Sequence, residues 1–378
     1  MFFISTALLL TVFSSCSDSD SPEHRKKTHT IVAYMMVDGL DTYIKNNIED
    51  MRKATQDIYT DDDFLAFLDY SIGNSYIVKI SKGKIDTVKM YDSNLINSDP
   101  KVMKEVLTWC YSNYPADDYG LIFGTHGSSW IIRNDTIARS QKNAIGAPRS
   151  NDTPINIPTL AEVLSNVPHQ QFLLLDLCAG QSVEVAYELR HVADYIIGSP
   201  AEIPDLGGPF QVLLPKMIAD DPVSIGSAYY DHYLDISLSN PSKLTVPISV
   251  IKTSELENLA SVTGPYLKTF MNSYPSDLDL SGLVYYFSHN SKPICYDMNN
   301  IMLHFLPEAS YNDWKTAFDK AVVYRGQSDK WETIFSVDFS SFTVDESTFG
   351  GVSMYIPNSS YGSLNTTYKQ MEWYYAAY

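Results

Sequence analysis

The chain has 378 residues and a formal net charge of −18 at neutral pH. This acidic balance argues against nucleic acid as a partner, because phosphates demand a basic surface. The length suffices for one large domain or two moderate ones. The eight histidines show no HExxH spacing and the chain contains no CxxC pair, so we expect no metal site.

The N-terminus reads as an export signal. Residues 2–13 form an apolar run that is too short to span a bilayer and suits a secretory signal. Small residues directly before Cys16 resemble a lipobox, which predicts cleavage after residue 15 and lipidation of Cys16; an ordinary signal peptide is the alternative. The polar residues 16–28 are expected to form a flexible tether. The prediction is therefore an envelope protein, periplasmic or surface-exposed, that touches the membrane only through its lipid anchor.

The pattern up to residue 199 alternates between strands and helices. Buried strands are short apolar runs bounded by turn signals, whereas helices show apolar residues at a spacing of three and four. These rules predict strands at residues 30–37, 64–70, 75–80, 86–91, 120–125, 172–177 and 193–199, and helices at residues 41–57, 100–114, 157–166 and 182–190. This alternation predicts an α/β fold with a mostly parallel sheet and right-handed crossovers.

Beyond about residue 210 the pattern changes. It predicts helices at residues 228–236 and 254–271, strands at 244–251 and 350–357, and a terminal helix. We interpret residues 29–225 as the main α/β domain and residues 226–378 as a C-terminal α+β subdomain packed on it. Of the remaining cysteines, Cys110 and Cys295 are interpreted as buried apolar residues or as one disulfide.

Two strands stop at reactive residues. The run at 120–125 delivers His126, and the run at 172–177 delivers Cys178. Ligands of open α/β sheets bind at the carboxyl ends of the strands, so these side chains are expected to share a site. A thiol beside an imidazole is the arrangement of a cysteine nucleophile with its base. The helix predicted after Cys178 is expected to lower the pKa of the thiol through its dipole.

Two neighbours of this pair have expected roles. Gly127 has no side chain, so its N–H can approach a substrate carbonyl and form an oxyanion hole with the N–H of Cys178. Asp176 lies two residues before the nucleophile, on the same side of the strand as Cys178. We interpret Asp176 as the base of a pocket for a substrate Arg or Lys, and a helix cap or structural role is the alternative.

These residues resemble the clostripain family of cysteine peptidases. The resemblance rests on the segments HGSSW (126–130), DLC (176–178), SVEVAYEL (182–189), ADYIIGSPAEIP (193–204) and YKQMEWY (368–374). It implies a caspase-like αβα sandwich, a His126/Cys178 dyad without a required third member, and cleavage after Arg or Lys. By position, Asp176 becomes an acid of the specificity pocket, and Asp205 is a weaker candidate for the same pocket.

The resemblance has one departure and two further implications. The chain reads DLCAG at the nucleophile, whereas family members usually read DACLM, which affects pocket shape. The long loop at 131–156 holds basic residues, and self-cleavage after Lys142 or Arg139 is the hypothesis, with an ordinary solvated loop as the alternative. No cofactor is required, and calcium, on which relatives depend, stays open because the chain has no EF-hand loop.

The sequence is compatible with two functions and argues against a third. The leading prediction is a monomeric cysteine endopeptidase acting on peptides or proteins with Arg or Lys at the cleaved bond. The alternative is a catalytically decayed surface lipoprotein that binds peptides or glycans through its tyrosines and Trp130. A serine hydrolase is rejected, because no GxSxG elbow occurs in the sequence.

Overall fold

The computed structural model describes most of the chain from residue 27 onward. It covers residues 27–36, 39–58, 60–70, 73–91, 95–131, 155–219, 221–240, 245–272, 278–289, 292–326, 330–332, 341–359 and 361–378. The predicted signal peptide, most of the tether, the lipidation residue Cys16 and the processing residues Arg139 and Lys142 lie outside the described residues. Among the described helices, none combines the length and apolar character that a bilayer crossing needs.

The first half of the chain alternates strands and helices, as its periodicity predicts. The elements are β1 (Lys27–Met36), α1 (Asp41–Asp57), β2 (Asp63–Asp69), β3 (Tyr76–Ser81), β4 (Lys84–Met90), α2 (Pro100–Asn113), β5 (Ala116–Gly124), α3 (Ile157–Leu164), β6 (Gln170–Asp176), α4 (Val183–Glu188) and β7 (Ala193–Gly198). The start of α2 shows the local cause: Pro100 opens the helix, and the Asp99 side chain accepts a hydrogen bond from the N–H of Lys101.

The second half contains more elements than its sequence pattern predicts. They are α5 (Phe210–Met217), α6 (Pro222–Ser239), β8 (Ile248–Lys252), the 3₁₀ turn Thr253–Glu255, α7 (Leu256–Asn272), β9 (Tyr285–His289), β10 (Lys292–Asp297), α8 (Met298–Phe305), α9 (Glu308–Ala321), β11 (Val322–Gly326), β12 (Lys330–Glu332), β13 (Ser341–Thr343), β14 (Ser353–Tyr355), α10 (Gly362–Tyr368) and α11 (Glu372–Ala377).

One large sheet organises the described chain. Its nine strands run in the order β11-β8-β7-β6-β5-β1-β2-β3-β4. The central strands β2, β1, β5, β6 and β7 pair in parallel, whereas β3 and β4 at one edge and β8 and β11 at the other pair antiparallel. The mostly parallel sheet of the predicted fold class is confirmed.

Helices cover both faces of this sheet. On β6, Leu173 and Leu175 join one core with α2, α3 and α4. Phe172 and Leu174 point the other way, into a second core with α1, α5 and α6. Successive strand residues face opposite sides, so β6 contributes to both layers, and its middle residues 172–175 are all apolar. The αβα sandwich is thereby complete, and Asp176 falls on the α1–α5–α6 face.

The C-terminal region supplies strands to two sheets. Strands β8 and β11 extend the main sheet, while β14, β10 and β9 form a smaller sheet in that order. The smaller sheet meets the segment that follows Cys178, because Ser182 bridges to Ser353 and the Ser353 N–H donates to the Gln181 carbonyl at 3.0 Å. The predicted boundary at residues 225–226 falls inside α6, and the division into two domains stays a prediction.

The thiols of the described chain are free. Cys110 lies on α2 and Cys295 on β10, and both are buried without a disulfide. Burial raises the pKa of the Cys110 thiol to about 12. The interpretation of these cysteines as buried apolar residues therefore fits the structure, and the disulfide alternative does not.

Candidate active site

His126 and Cys178 share one cavity at the carboxyl edge of the main sheet. Strands β5 and β6 are parallel neighbours in a register that pairs Gly124 with Asp176. His126 and Cys178 each follow that pair by two residues, so the register alone places them level with one another. Both side chains line the same cavity, together with Asp176. The structure thus brings together the three residues that the sequence placed at this rim.

Gly127 lies directly against the residues around the nucleophile. A Cβ at Gly127 would lie 2.4 Å from Leu177 Cδ1 and 2.5 Å from the carbonyl oxygen of Cys178. A Cβ at Gly180 would lie 2.9 Å from the same leucine atom. Glycines on both sides therefore make room for Leu177, the bulky residue that departs from the family pattern. The part of Gly127 in an oxyanion hole stays a prediction.

The thiol of Cys178 is partly buried and is held by the backbone of Ile203. The Ile203 N–H lies 3.5 Å from Sγ, and the thiol lies 3.8 Å from the Ile203 carbonyl oxygen. Burial raises the pKa of the thiol to about 12, and the carboxylates of Glu202, Asp176 and Asp205 raise it further, against the opposing hydrogen bond from Ile203. The resting thiol is therefore protonated at neutral pH.

The expectation that the dipole of the following helix lowers the pKa of the Cys178 thiol is wrong. Helix α4 begins at Val183, and its N-cap is Ser182, whose hydroxyl accepts from the Val185 N–H at 3.2 Å. Cys178 precedes that cap by several residues, and a helix dipole acts only within the first turn. The pKa of the thiol follows burial and the neighbouring acids instead.

Asp176 forms the buried end of the cavity. Its side chain is 6% exposed. Oδ1 accepts from the Tyr229 hydroxyl at 2.9 Å, and Oδ2 accepts from the Gly208 N–H at 2.9 Å. Burial raises the pKa of Asp176 to about 6, although both hydrogen bonds lower it. A carboxylate with this pKa is mostly ionised at neutral pH.

Asp205 lies at the mouth of the same cavity. It is exposed and belongs to the segment that also lines the cavity with Ile203, Pro204 and Gly207. We name residues 203–208 the pocket loop. Asp176 below and Asp205 above give the cavity two acids, as the resemblance implies, and their part in substrate binding stays a prediction.

Three residues that sequence reasoning missed hold the pocket loop or Asp176. Asn47 on α1 donates to the Leu206 carbonyl at 2.8 Å, and Tyr233 on α6 donates to the Gly207 carbonyl at 2.7 Å. Tyr229, four residues before Tyr233, bonds Asp176. The i, i+4 spacing of two tyrosines in a tyrosine-rich helix was the available signal, but nothing in one sequence says which loop they face.

Two residues near the site have left-handed backbones without being glycine. Ala179 follows the nucleophile with φ of 53°, and Ser129 follows the histidine segment with φ of 63°. The N–H of Ala179 donates to the Ala201 carbonyl at 2.7 Å. Such conformations cost about 1–2 kcal/mol for residues with a Cβ and concentrate at functional sites. The turn after Cys178 is therefore strained.

Metal binding has no support within the described residues. No group of three or more His, Cys, Asp and Glu side chains there is arranged to hold an ion. The acidic stretch at residues 61–63 is engaged elsewhere, since Asp62 accepts from the His29 N–H and Asp63 pairs with Lys79 at 2.6 Å. Calcium dependence stays a prediction.

An αβα sandwich that sets a histidine and a cysteine at the ends of neighbouring parallel strands defines a cysteine peptidase class. The model of the clostripain family matches residues 33–377, and the chain belongs to this family. Clostripain of Hathewaya histolytica is 26% identical over 203 residues, which are 46% of this chain and 38% of clostripain. The match therefore spans well under half the length of that relative.

Two solved structures resemble the chain over nearly all of its length. A secreted C11 cysteine protease from Bacteroides thetaiotaomicron, in complex with an irreversible peptide inhibitor, is 31% identical; the similarity covers 93% of this chain and 98% of that chain, with a TM-score of 0.80. An inactive zymogen C11 protease from Parabacteroides distasonis is 26% identical, covers 93% and 99% of the two chains, and has a TM-score of 0.79.

Proposed function

We propose that the chain is a cysteine endopeptidase that cleaves after Arg or Lys through the His126/Cys178 dyad. One observation carries the proposal: His126, Cys178 and two acids line a single cavity at the end of β5 and β6. Among the described residues that line this cavity, none is Lys or Arg. A cationic side chain would therefore meet Asp176 and Asp205 without a competing positive charge.

The first chemical step is acylation of Cys178. The sulfur attacks the substrate carbonyl carbon while His126 accepts the thiol proton, which gives a tetrahedral intermediate. A thiol of raised pKa holds its proton at rest, so His126 removes the proton as the sulfur attacks. The N–H groups of Gly127 and Cys178 would stabilise the oxyanion, each worth about 3 kcal/mol in other enzymes.

The intermediate then collapses. The peptide C–N bond breaks, His126 gives its proton to the departing amine, and a thioester joins Cys178 to the acyl part of the substrate. A water molecule, deprotonated by His126, attacks the thioester carbonyl. The carboxylic acid product leaves, and the proton returns to the sulfur. Two residues thus suffice for both half-reactions.

The experiment that tests this function is hydrolysis of arginyl, lysyl, aspartyl and alanyl fluorogenic peptides by the wild-type protein and Cys178→Ala. Cleavage after Arg or Lys alone, lost in the variant, supports the proposal. Cleavage after Asp or Ala keeps the nucleophile and removes the acidic pocket as selector. No cleavage of any peptide, even after trypsin nicking within residues 131–156, favours the decayed binding lipoprotein.

Self-processing and the anchor belong to the same proposal. A relative of this chain was solved as an inactive zymogen. We expect the wild-type protein to cut itself after Lys142 or Arg139, and Cys178→Ala to remain one band on a denaturing gel. A double Arg139→Ala, Lys142→Ala variant that is still cut would place the processing elsewhere.

The anchor is tested in cells. Cys16→Ser should release the protein from membranes and abolish incorporation of labelled fatty acid, whereas wild-type protein stays in the membrane fraction. Protease shaving of intact cells distinguishes the surface from the periplasm. Sedimentation of the mature chain tests the expected monomer, and a chelator titration tests whether calcium is needed.

A further inference from the structure

We propose that Tyr229 and Tyr233 on α6 are positioning residues of the specificity pocket: Tyr229 orients the Asp176 carboxylate, and Tyr233 fixes the pocket loop that carries Asp205. This inference rests on the proposed function, since it concerns how that function selects its substrate. Neither tyrosine lines the cavity, so each acts through another residue.

The first observation is the way Asp176 is held. Strand alternation on β6 turns this side chain toward the α1–α5–α6 layer, where the Tyr229 hydroxyl meets Oδ1 and the Gly208 N–H meets Oδ2. The two donors take one oxygen each, so the carboxylate cannot rotate without losing a hydrogen bond. Each oxygen keeps a second lone-pair direction with which it can accept from a substrate cation.

The second observation is that the two tyrosines act as a pair. They lie four residues apart on α6, their rings are stacked with centroids 5.7 Å apart, and both hydroxyls point at the pocket. Tyr229 reaches the acid, and Tyr233 reaches the carbonyl of Gly207 in the loop above it. One rigid helix therefore sets the distance between the buried acid and the loop that carries the exposed one.

The pocket loop is packed closely enough for this control to matter. Gly207 has φ of +64°, and a Cβ there would lie 2.9 Å from Asp176 Oδ2. Asn47 holds the same loop from α1 through the Leu206 carbonyl. A loop fixed between two helices and the carboxylate has little conformational freedom. Loss of one of its hydrogen bonds should therefore change the position of Asp205.

Packing alone does not explain the hydroxyls. Tyr229 is 1% exposed, and a buried hydroxyl costs free energy unless it is hydrogen-bonded, so phenylalanine would fill the core at lower cost. The hydroxyl is useful where it donates to a charged acceptor, because such a bond favours the ionised form. Here the bond from Tyr229, like that from the Gly208 N–H, opposes the effect of burial on the pKa of Asp176 and so favours the charged form of the acid.

The test compares Tyr229→Phe and Tyr233→Phe with Tyr230→Phe as matched control. Tyr230 is on the same helix, but its ring packs over Gly326 of β11, away from the pocket. For arginyl and lysyl peptides we expect KM to rise about tenfold in Tyr229→Phe, from loss of a hydrogen bond to a charged group, with kcat within about twofold. Tyr233→Phe should raise KM less, and Tyr230→Phe should leave it unchanged.

A pH profile distinguishes a positioning role of Tyr229 from a purely structural one. Among the described residues, the titratable groups that line the cavity with Asp176 are Tyr43 from α1, His126, Cys178 and Asp205, and Tyr229 and Tyr233 face it from α6. Removing the Tyr229 hydroxyl removes a bond that lowers the pKa of Asp176. The acidic limb of kcat/KM should then move to higher pH in Tyr229→Phe and stay in place in Tyr230→Phe.

The outcomes are distinct. A Tyr229→Phe variant with the KM and pH profile of Tyr230→Phe overturns the inference while leaving the peptidase intact. A loss of kcat with KM unchanged, together with a lowered melting temperature, also overturns it, because that marks a structural role. A wild-type protein that cleaves neither arginyl nor lysyl peptides removes the proposed function, and the inference falls with it.

Discussion

Two buried carboxylates flank the turn that carries Cys178, and they lie on opposite faces of the main sheet. Asp176 precedes the turn and faces the α1–α5–α6 layer, whereas Glu184 follows it on α4 and faces the C-terminal region. Each accepts one backbone N–H and one tyrosine hydroxyl: Asp176 from Gly208 and Tyr229, and Glu184 from Tyr355 at 2.8 Å and Tyr368 at 3.4 Å.

The two acids accept from the same kinds of donor, but Asp176 accepts one bond on each oxygen, whereas both of these bonds to Glu184 go to Oε1. They also differ in what else they touch. Asp176 borders the cavity, and Glu184 is fully buried. Burial raises the pKa of Glu184 to about 7. Near it, Glu188 accepts from the Glu372 N–H at 2.9 Å, which also ties α4 to the C-terminal region. Under the proposed function, the same chemistry serves substrate recognition on one face, and on the other it holds α4 against the C-terminal region.

The largest effect is expected at His126, the proposed base, rather than at either acid. His126→Ala should lower kcat at least about 10⁴-fold for every cleaved peptide, because neither half-reaction can move its proton. His169→Ala is the matched control: this exposed histidine pairs with Asp194 at 2.9 Å and should leave kcat unchanged. A His126→Ala variant that keeps a tenth of wild-type activity would assign the base to another residue.

The next prediction tests the proposed role of Asp176 in substrate recognition. Asp176→Asn should lower kcat/KM about 100-fold for arginyl and lysyl peptides, since a desolvated charge pair is lost. Its melting temperature should change little, because the amide oxygen can accept from the Gly208 N–H and the amide NH2 can donate to the Tyr229 hydroxyl oxygen. Asp297→Asn is the control, a second buried aspartate of raised pKa that bonds Tyr286 and the Asn300 N–H. It should leave kcat/KM intact, and equal losses in both variants would contradict the division of roles.

The core of the fold was predictable from local patterns. Helix α1 was expected at the residues it occupies, because the periodicity that predicts a helix acts over a few residues. The strands β9, β10 and β11 and the helices α8 and α9 were not predicted. Their segments pack against partners far away in sequence, and β11 joins β8 only through long-range pairing.

The site shows the same division. His126 and Cys178 followed from two apolar runs that each stop at a reactive residue, and the register of β5 and β6 then sets them level. The pKa of the thiol could not be predicted in this way. It depends on burial and on the pocket loop, since Ile203 lies 25 residues beyond the nucleophile and reaches it only through the fold. Tyr229 and Asn47 were missed for the same reason.

The third prediction uses pH to test Glu184, the acid that bonds the C-terminal region. The pKa of Glu184 is about 7 in the folded chain, above its ordinary value of 4.5. A group whose pKa is raised on folding contributes stability that is fully present at pH below its pKa in the unfolded chain. This contribution is lost as the pH rises through its pKa in the folded chain. The free energy of unfolding of wild type, relative to non-titrating Glu184→Gln, should therefore fall by about 2 kcal/mol between pH 5.5 and 8.5.

Urea unfolding of both proteins across that range measures this difference. Glu188, whose pKa burial also raises to about 7, is present in both and cancels. A difference that stays constant with pH would mean that Glu184 is ionised in the folded chain. A parallel series with Asp176→Asn should show a shallower dependence, because the pKa of Asp176 is raised only to about 6.

The smallest effect concerns the turn between the two acids. Ala179 has φ of 53°, which glycine adopts without a Cβ penalty, so Ala179→Gly should stabilise the fold by about 0.5 kcal/mol after the entropy of the unfolded glycine is subtracted. Ala186→Gly, inside α4, should instead destabilise it by about 1 kcal/mol. If Ala179→Gly gains stability but loses kcat, the strained alanine is holding Cys178 in place; if both stay unchanged, the Ala201 hydrogen bond fixes the turn by itself.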